Sequence, residues 1–279
     1  MLGGKPAGTG GIKNTEDIKN TEGIKKKWDE RSKTYDEWEE TFEGRVSRYV
    51  DWELLKVHLP GDKSAKILDA AGGTEVITLP LVEMGYTVTL CDISSGMLNV
   101  AKQKLLREGL LDKVKIIECD ICDLPFADES FDFVLCWGGT AELIKELIRA
   151  TKMGGGVSFT VEGKCWASVN EFPKEPELAL NLIKSGVNDE RKSGLETYNT
   201  EELKDLFERN GVETIAIYGT RGFIGHLVPQ EALTAREWDE QLFKQVAEMA
   251  LGLGKEPSVV GIARRLVLYG KKIRISNSA

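Results

Sequence analysis

Three aspartates, Asp69, Asp92 and Asp120, each stand at or just after the end of a short apolar run. Lys66-Ile-Leu-Asp-Ala-Ala-Gly-Gly-Thr-Glu75 reads as a buried strand followed by a turn of small residues, and Cys91-Asp92 closes a second apolar run. Small residues let a backbone approach a ligand closely, and a helix that follows such a turn presents unpaired N–H groups. An acid at the end of the second strand can accept hydrogen bonds from both hydroxyls of a ribose. The ordering predicts a nucleoside-binding rim at the C-terminal edge of a parallel sheet. Taken singly, Asp92 or Asp120 could simply cap a turn. Three acids on consecutive strand ends are harder to explain that way.

The elements that must position these groups follow from periodicity and punctuation. Residues 24–59 read as helical in two pieces broken near Gly44, with Trp28, Tyr35 and Trp38 on one face. Apolar runs predict strands at 66–70, 86–91, 114–118, 131–137 and 157–161. Helices are expected at 76–84, from Ser94 or Ser95 to Glu108, and at 141–152, the last closed by Gly154-Gly155-Gly156. Residues 166–198 break the rhythm and read as an insertion with one helix near 176–184. A helix capped by Thr200, a strand at 213–218, a helix at 232–251 and a strand at 259–269 complete the chain. Strands alternating with helices imply an α/β class and a doubly wound, mostly parallel sheet. The expected organisation is a flexible segment 1–23, one domain over 24–272 with a helical cap at 24–60, and a tail at 273–279.

Composition narrows the function classes. Of 279 residues, 41% are hydrophobic and 29% charged, and the net charge of −8 argues against a nucleic-acid partner. No apolar run approaches the ~18 residues of a membrane span. The five cysteines, without the apolar core of a secretion signal, point to reduced thiols and a cytoplasmic location. Cys119 and Cys122 have metal-ligand spacing, but no second pair completes a site, and no metal is expected.

In order and spacing, these segments resemble the class I S-adenosylmethionine-dependent methyltransferases of small-molecule type, from about Ile24 to Lys272. Leu68-Asp-Ala-Ala-Gly-Gly-Thr74 is similar to the family's glycine-rich first motif, and Cys91-Asp-Ile-Ser-Ser-Gly-Met-Leu98 to its ribose motif. Asp120-Ile121 and Asp123-Leu-Pro-Phe126 resemble the adenine-side motif. Trp28-Asp-Glu-Arg-Ser-Lys-Thr-Tyr-Asp36 is similar to a helix that closes over the cofactor. The resemblance implies a seven-stranded Rossmann-like sheet with an antiparallel last strand, and S-adenosyl-L-methionine as cofactor with S-adenosyl-L-homocysteine as product. It implies that Asp69 orients the methionine ammonium, that Ala71 and Gly73 let the backbone pass, and that Asp92 takes the ribose. Ile93 and Met97 would pack on adenine, Asp120 and the Ile121 N–H would read its edge, Cys136 and Trp137 would flank the methyl, and Tyr35 would act as a lid.

Two departures stand out. Ala71 and Glu75 occupy positions where the family usually has glycine, and Trp137-Gly-Gly-Thr140 leads almost directly into a helix. They motivate an alternative, a protein that keeps the fold for binding or regulation with little turnover. A dinucleotide-dependent oxidoreductase lacks its spaced three-glycine fingerprint here. Arsenite methylation would need converging exposed thiols. Of the two histidines, His58 reads as structural, while His226, in a glycine-rich loop, and Glu162, after the fifth strand, are candidates for a base or a substrate contact. Trp166, Tyr198 and Arg221 are further pocket candidates. The expected partner is a small-molecule methyl acceptor.

Overall fold

The computed structural model describes residues 15–138, 143–185 and 196–274. Its elements run α1 (Thr15–Arg31), a one-turn 3-10 helix (Tyr35–Glu37), α2 (Phe42–Lys56), β1 (Lys66–Ala70), α3 (Thr78–Glu83), β2 (Thr87–Asp92), α4 (Ser95–Arg107), β3 (Val114–Glu118), β4 (Phe131–Cys136) and α5 (Ile144–Ala150). They continue with β5 (Thr151–Gly163), α6 (Lys164–Glu171), α7 (Pro176–Ser185), β6 (Thr197–Tyr198), α8 (Thr200–Arg209), β7 (Val212–Thr220), α9 (Gln230–Leu233), α10 (Glu240–Leu253), α11 (Pro257–Val260) and β8 (Arg265–Lys272).

The strands form one sheet in the order β3-β2-β1-β4-β5-β8-β7, with β6 paired to β5. Pairs among β1 to β5 are parallel, while β8 runs antiparallel to both β5 and β7. The central strands β1 and β4 bury nearly every side chain, as strands covered on both faces must. Ile67, Leu68, Val134, Leu135, Val157 and Phe159 form the middle of the core with Leu54 and Leu55 of α2.

The architecture follows the expected class, with several local corrections. α1 begins at Thr15, inside the segment read as flexible; its Lys- and Glu-rich sequence is a good helix former, and packing on α4 anchors it. The break between the first helices falls after Arg31, and Gly44 lies within α2. A Cβ there would sit 2.0 Å from the Trp38 carbonyl oxygen, so Gly44 serves close approach rather than termination. The three glycines after α5 do not end a helix either. They lie in β5, where a bulge breaks the pairing with β4 between Phe131 and Phe133, and a Cβ on Gly156 would meet the Phe133 ring at 2.3 Å.

The insertion carries two helices and the short parallel strand β6, not one helix. Asn199, not Thr200, caps α8, completing a capping box with Glu202. The expected helix at 232–251 is split, because Asp239 caps a new start at α10. The last strand begins at Arg265, α11 having taken 257–260. The sheet has an eighth strand beyond the seven expected. Pro80 falls in the first turn of α3, where its missing N–H breaks no bond.

Candidate active site

The parallel register places the three aspartates on one rim. Ala70 pairs with Cys91, and Asp92 with Glu118, so Asp69, Asp92 and Asp120 lie at the C-terminal ends of the adjacent strands β1, β2 and β3. The turn after β1 wraps tightly here. Gly73 N donates to Asp92 Oδ2 at 3.0 Å, and Ser94 N donates to Asp92 Oδ1 at 2.8 Å. Each carboxylate oxygen has taken one donor and retains acceptor capacity for another. Asp92 is 7% exposed, and burial raises its carboxyl despite these bonds.

Asp69 is 2% exposed and accepts from Thr78 Oγ1 at 2.7 Å. Burial, with a smaller effect of Asp92, pushes its carboxyl up to about 7. No cation is paired with it among the described residues. A buried acid in that state is poised to receive a cationic ligand. Gly72 makes the turn possible: a Cβ there would lie 2.4 Å from Leu90 Cδ1 and 2.6 Å from Asp69 Cγ.

Other groups lie around these acids. Met97 is buried and Ile93 half-buried at the start of α4. Asp120 Oδ1 accepts from Cys122 N at 2.9 Å, turning the chain so that half-buried Ile121 follows β3. Cys136 pairs with Ala70 in the register and is fully buried, and Trp137 Nε1 donates to Ser158 Oγ at 2.8 Å. Residues 139–142, which carry the shortened loop after β4, lie outside the described residues.

Both non-glycine departures sit in the left-handed region, Ala71 at φ 55° and Glu75 at φ 76°. These are conformations that glycine adopts without penalty. Glu75 does not turn outward. It is 4% exposed, its Oε1 lies 3.3 Å from Lys104 Nζ, and its Oε2 is buried with no hydrogen-bond partner. Burial pushes its carboxyl up to about 7 against the pull of Lys104.

The same lysine reaches the cap. Lys104 Nζ is 2.9 Å from Asp36 Oδ2 and donates to the Thr74 carbonyl at 3.1 Å, while Thr74 Oγ1 donates to Asp36 Oδ1 at 2.7 Å. A second acid of the cap, Asp29, accepts from Ser94 Oγ at 2.7 Å and Gly96 N at 2.8 Å, at the N-terminus of α4. Nothing in the sequence gives Asp29, Asp36 or Lys104 an individual role. The only signal in the sequence is that both acids belong to the Trp28–Asp36 motif.

Tyr35 is half-buried and packs edge-on against Trp28 at 6.1 Å. Burial raises its hydroxyl, and Arg221 is the strongest charge acting on it. It therefore sits toward the β7–β8 side of the rim, while its neighbour Asp36 holds the glycine-rich turn. Glu162 ends β5 with its carboxyl raised by burial, and His226 is exposed in the turn after β7. His58 stacks on Tyr269 at 4.1 Å, far from the aspartates in the fold, in keeping with a structural role. Cys91 and Cys136 are buried, and no cluster of metal-ligating side chains forms among the described residues. No described helix is long and apolar enough to cross a membrane.

Residues 67–155 match a protein family described as a methyltransferase domain. The ubiquinone/menaquinone biosynthesis C-methyltransferase UbiE of Pseudomonas paraeruginosa is 34% identical over 131 residues, covering 43% of this chain and 50% of that protein. A demethylmenaquinone methyltransferase of Clavibacter sepedonicus is 36% identical over 98 residues, covering 33% of this chain and 39% of its own. The chain thus matches about half the length of the first of these relatives or less. Among solved structures, a geranyl diphosphate C-methyltransferase from Streptomyces coelicolor covers 80% of this chain and 78% of its own at 14% identity and a TM-score of 0.53. The [4+2]-cyclase SpnF covers 81% of this chain and 80% of its own at 18% identity and a TM-score of 0.52. At such identities the likeness carries the fold alone, and a cyclase among the neighbours underlines that fold does not fix reaction.

Proposed function

We propose that this chain, whose residues 67–155 match a family described as a methyltransferase domain, binds S-adenosylmethionine along the rim of β1–β3 and transfers its methyl group to a small-molecule acceptor. The observation that carries the reading is the convergence of Asp69, Asp92 and Asp120 on adjacent parallel strand ends.

The residues present fit that cofactor. Asp92 keeps one acceptor position on each oxygen for a pair of vicinal hydroxyls. Asp69, buried without a cation, suits an ammonium group. Asp120 and the Ile121 N–H can read an amino group and a ring nitrogen, with Ile93 and Met97 against the ring faces. Ala71 and Gly73 form the backbone surface beneath, and Cys136 and Trp137 close the side toward β4. When bound, S-adenosylmethionine supplies a methyl group already activated on a sulfonium. The chain's own task is orientation, holding an acceptor in line beside Trp137, which can account for roughly 7–11 kcal/mol of barrier lowering. Tyr35, in the cap beside Asp36, would serve as a lid over this space. Glu162 and His226 are the groups that could take a proton if the acceptor must lose one.

Glu75 favours a second reading, a binding protein with little turnover, only if its charge repels the cofactor. Lys104 beside it offsets that charge, which supports the catalytic reading. The test is a crystal soaked with S-adenosylhomocysteine. Density for an adenosyl group against Asp92, with the sulfur beside Trp137, is the expected result. A ligand elsewhere on the protein, or none at saturating concentration, would remove the proposal.

A further inference from the structure

A second group of ionisable side chains occupies the same end of the sheet, beyond the aspartate rim, and it is basic. Arg221 follows β7 and Arg265 opens β8, and Arg265 pairs in register with both Thr220 and Glu162. Arg265 Nε donates to Thr220 Oγ1 at 3.0 Å, and its Nη2 pairs with Asp51 Oδ2. Arg221 Nη2 lies 3.8 Å from that same oxygen, so one carboxylate oxygen serves two guanidiniums, while Asp51 Oδ1 is buried and unbonded. The other buried acid acting on Arg221 is Glu39, which is already paired with Arg48 Nε at 3.2 Å. The cation acting on Glu162 is Arg264. Arg221 and Arg265 share Asp51, so this pair carries one positive charge more than the carboxylate between them.

That excess has a location. Arg221 Nε is buried with no hydrogen-bond partner. Burial and the neighbouring Arg265 push its guanidinium down to about 10. Its backbone is held at φ 65°, and a Cβ on Gly222 beside it, at φ 82°, would lie 3.0 Å from Arg264 atoms. Leaving a charged donor buried and unpaired costs more than leaving a neutral one. The penalty of the unpaired donor would fall if an anion completed the group.

The basic pair adjoins the cofactor rim through shared neighbours. Arg221 lies over the Trp38 ring at 4.6 Å, and Arg265 over the Trp137 ring at 5.6 Å. Trp137 continues from Cys136, the register partner of Ala70, and the adjoining Gly138 would bring a Cβ within 3.6 Å of the Ala71 carbonyl oxygen. The cap turn that holds Thr74 through Asp36 also carries Trp38.

We propose that the methyl acceptor carries an oxyanion, a carboxylate or a phosphate, that docks on the guanidinium of Arg221 with Arg265 adding charge, while its remainder lies against Trp137. A planar guanidinium donates to both kinds of oxyanion in the same two-bond geometry. This inference rests on the methyl-transfer reading for calling the ligand an acceptor, but its test does not.

The test is calorimetric titration of the full chain, with and without S-adenosylhomocysteine, using benzoate, phenyl phosphate and neutral benzamide as probes. Wild type is expected to bind at least one anion at least tenfold more tightly than benzamide, and the preferred anion distinguishes a carboxylate from a phosphate source. Arg221→Gln should erase that preference, Arg221→Lys should keep part of it, and both should retain wild-type affinity for S-adenosylhomocysteine, which shows the variants are folded. Equal binding of benzamide, binding of neither anion, or an undiminished preference in Arg221→Gln would overturn the proposal. Loss of S-adenosylhomocysteine binding by wild type with the anion preference intact would sink only the methyl-transfer reading.

Discussion

Lys104 Nζ lies 3.3 Å from the buried Oε1 of Glu75, a residue held where glycine would be at ease. The pair makes an unusual turn residue part of a structural joint, because the same ammonium also holds Asp36 of the cap. Lys104→Met should therefore destabilise the protein by about 2–3 kcal/mol at pH 8, since it leaves a buried carboxylate unpaired. The Glu75 carboxyl stands at about 7, so near pH 5.5 it is protonated and needs the lysine less. Melting curves at both pH values should show the larger deficit at pH 8; equal deficits would mean that Glu75 does not depend on Lys104.

Asp69 gives a separable pH effect. Its folded value of about 7 lies above the 3.8 of an unperturbed aspartate, so the folded chain holds this proton more tightly than the unfolded chain. Stability contributed by that proton is present below about 4 and is lost as pH rises through 7. Asp69→Asn should raise the melting temperature at pH 8, by an amount reflecting a few kcal/mol, and change little at pH 4. It should also weaken binding of S-adenosylhomocysteine severely, while wild-type affinity rises from pH 6 to pH 8. A variant that melts as wild type does at pH 8 would contradict the assignment.

The glycine-rich turn predicts opposite outcomes for neighbouring substitutions. Gly72→Ala forces a Cβ to within 2.4 Å of Leu90 Cδ1 and against Asp69, so it should destabilise and displace the acid. A loss of about 1–3 kcal/mol is expected. Ala71→Gly relieves φ 55° and should stabilise by up to about 1 kcal/mol. Chemical denaturation of both variants is the check, and a stabilising Gly72→Ala would show that the turn is placed differently.

Burial lowers His58, which stacks on Tyr269 and lies 3.2 Å from the Tyr218 hydroxyl through Nε2. Its neutral form is the folded one, so stability is complete above about 6.5 and declines as pH falls through the lower folded value. His58→Phe should gain melting temperature relative to wild type near pH 5 and not at pH 8. An unchanged difference across that range would place His58 in solvent.

Much of this arrangement was legible in the residues. Asp69, Asp92 and Asp120 could be placed on one rim because each ends an apolar strand-length run, and parallel pairing brings successive strand ends together. Asp29 and Asp36 could not, since a docking acid is recognisable only once its partners, Gly96 and Thr74, are folded. The direction of Glu75 depended in the same way on Lys104, distant in sequence. The glycines at 154–156 misled because a helix stop and a sheet bulge call for the same residue. The basic pair was half visible: Arg221 stood out by its loop, but its excess charge emerged only when Asp51 proved to be shared with Arg265.

The account depends most on a carboxylate at the end of β2 gripping a ribose, and calorimetric titration of S-adenosylhomocysteine into wild type and Asp92→Ala tests it most directly. Saturable binding by wild type that falls by two orders of magnitude or more in Asp92→Ala, on the order of 3 kcal/mol, is the predicted result. Equal affinity in the two proteins, or no binding by wild type, would contradict it.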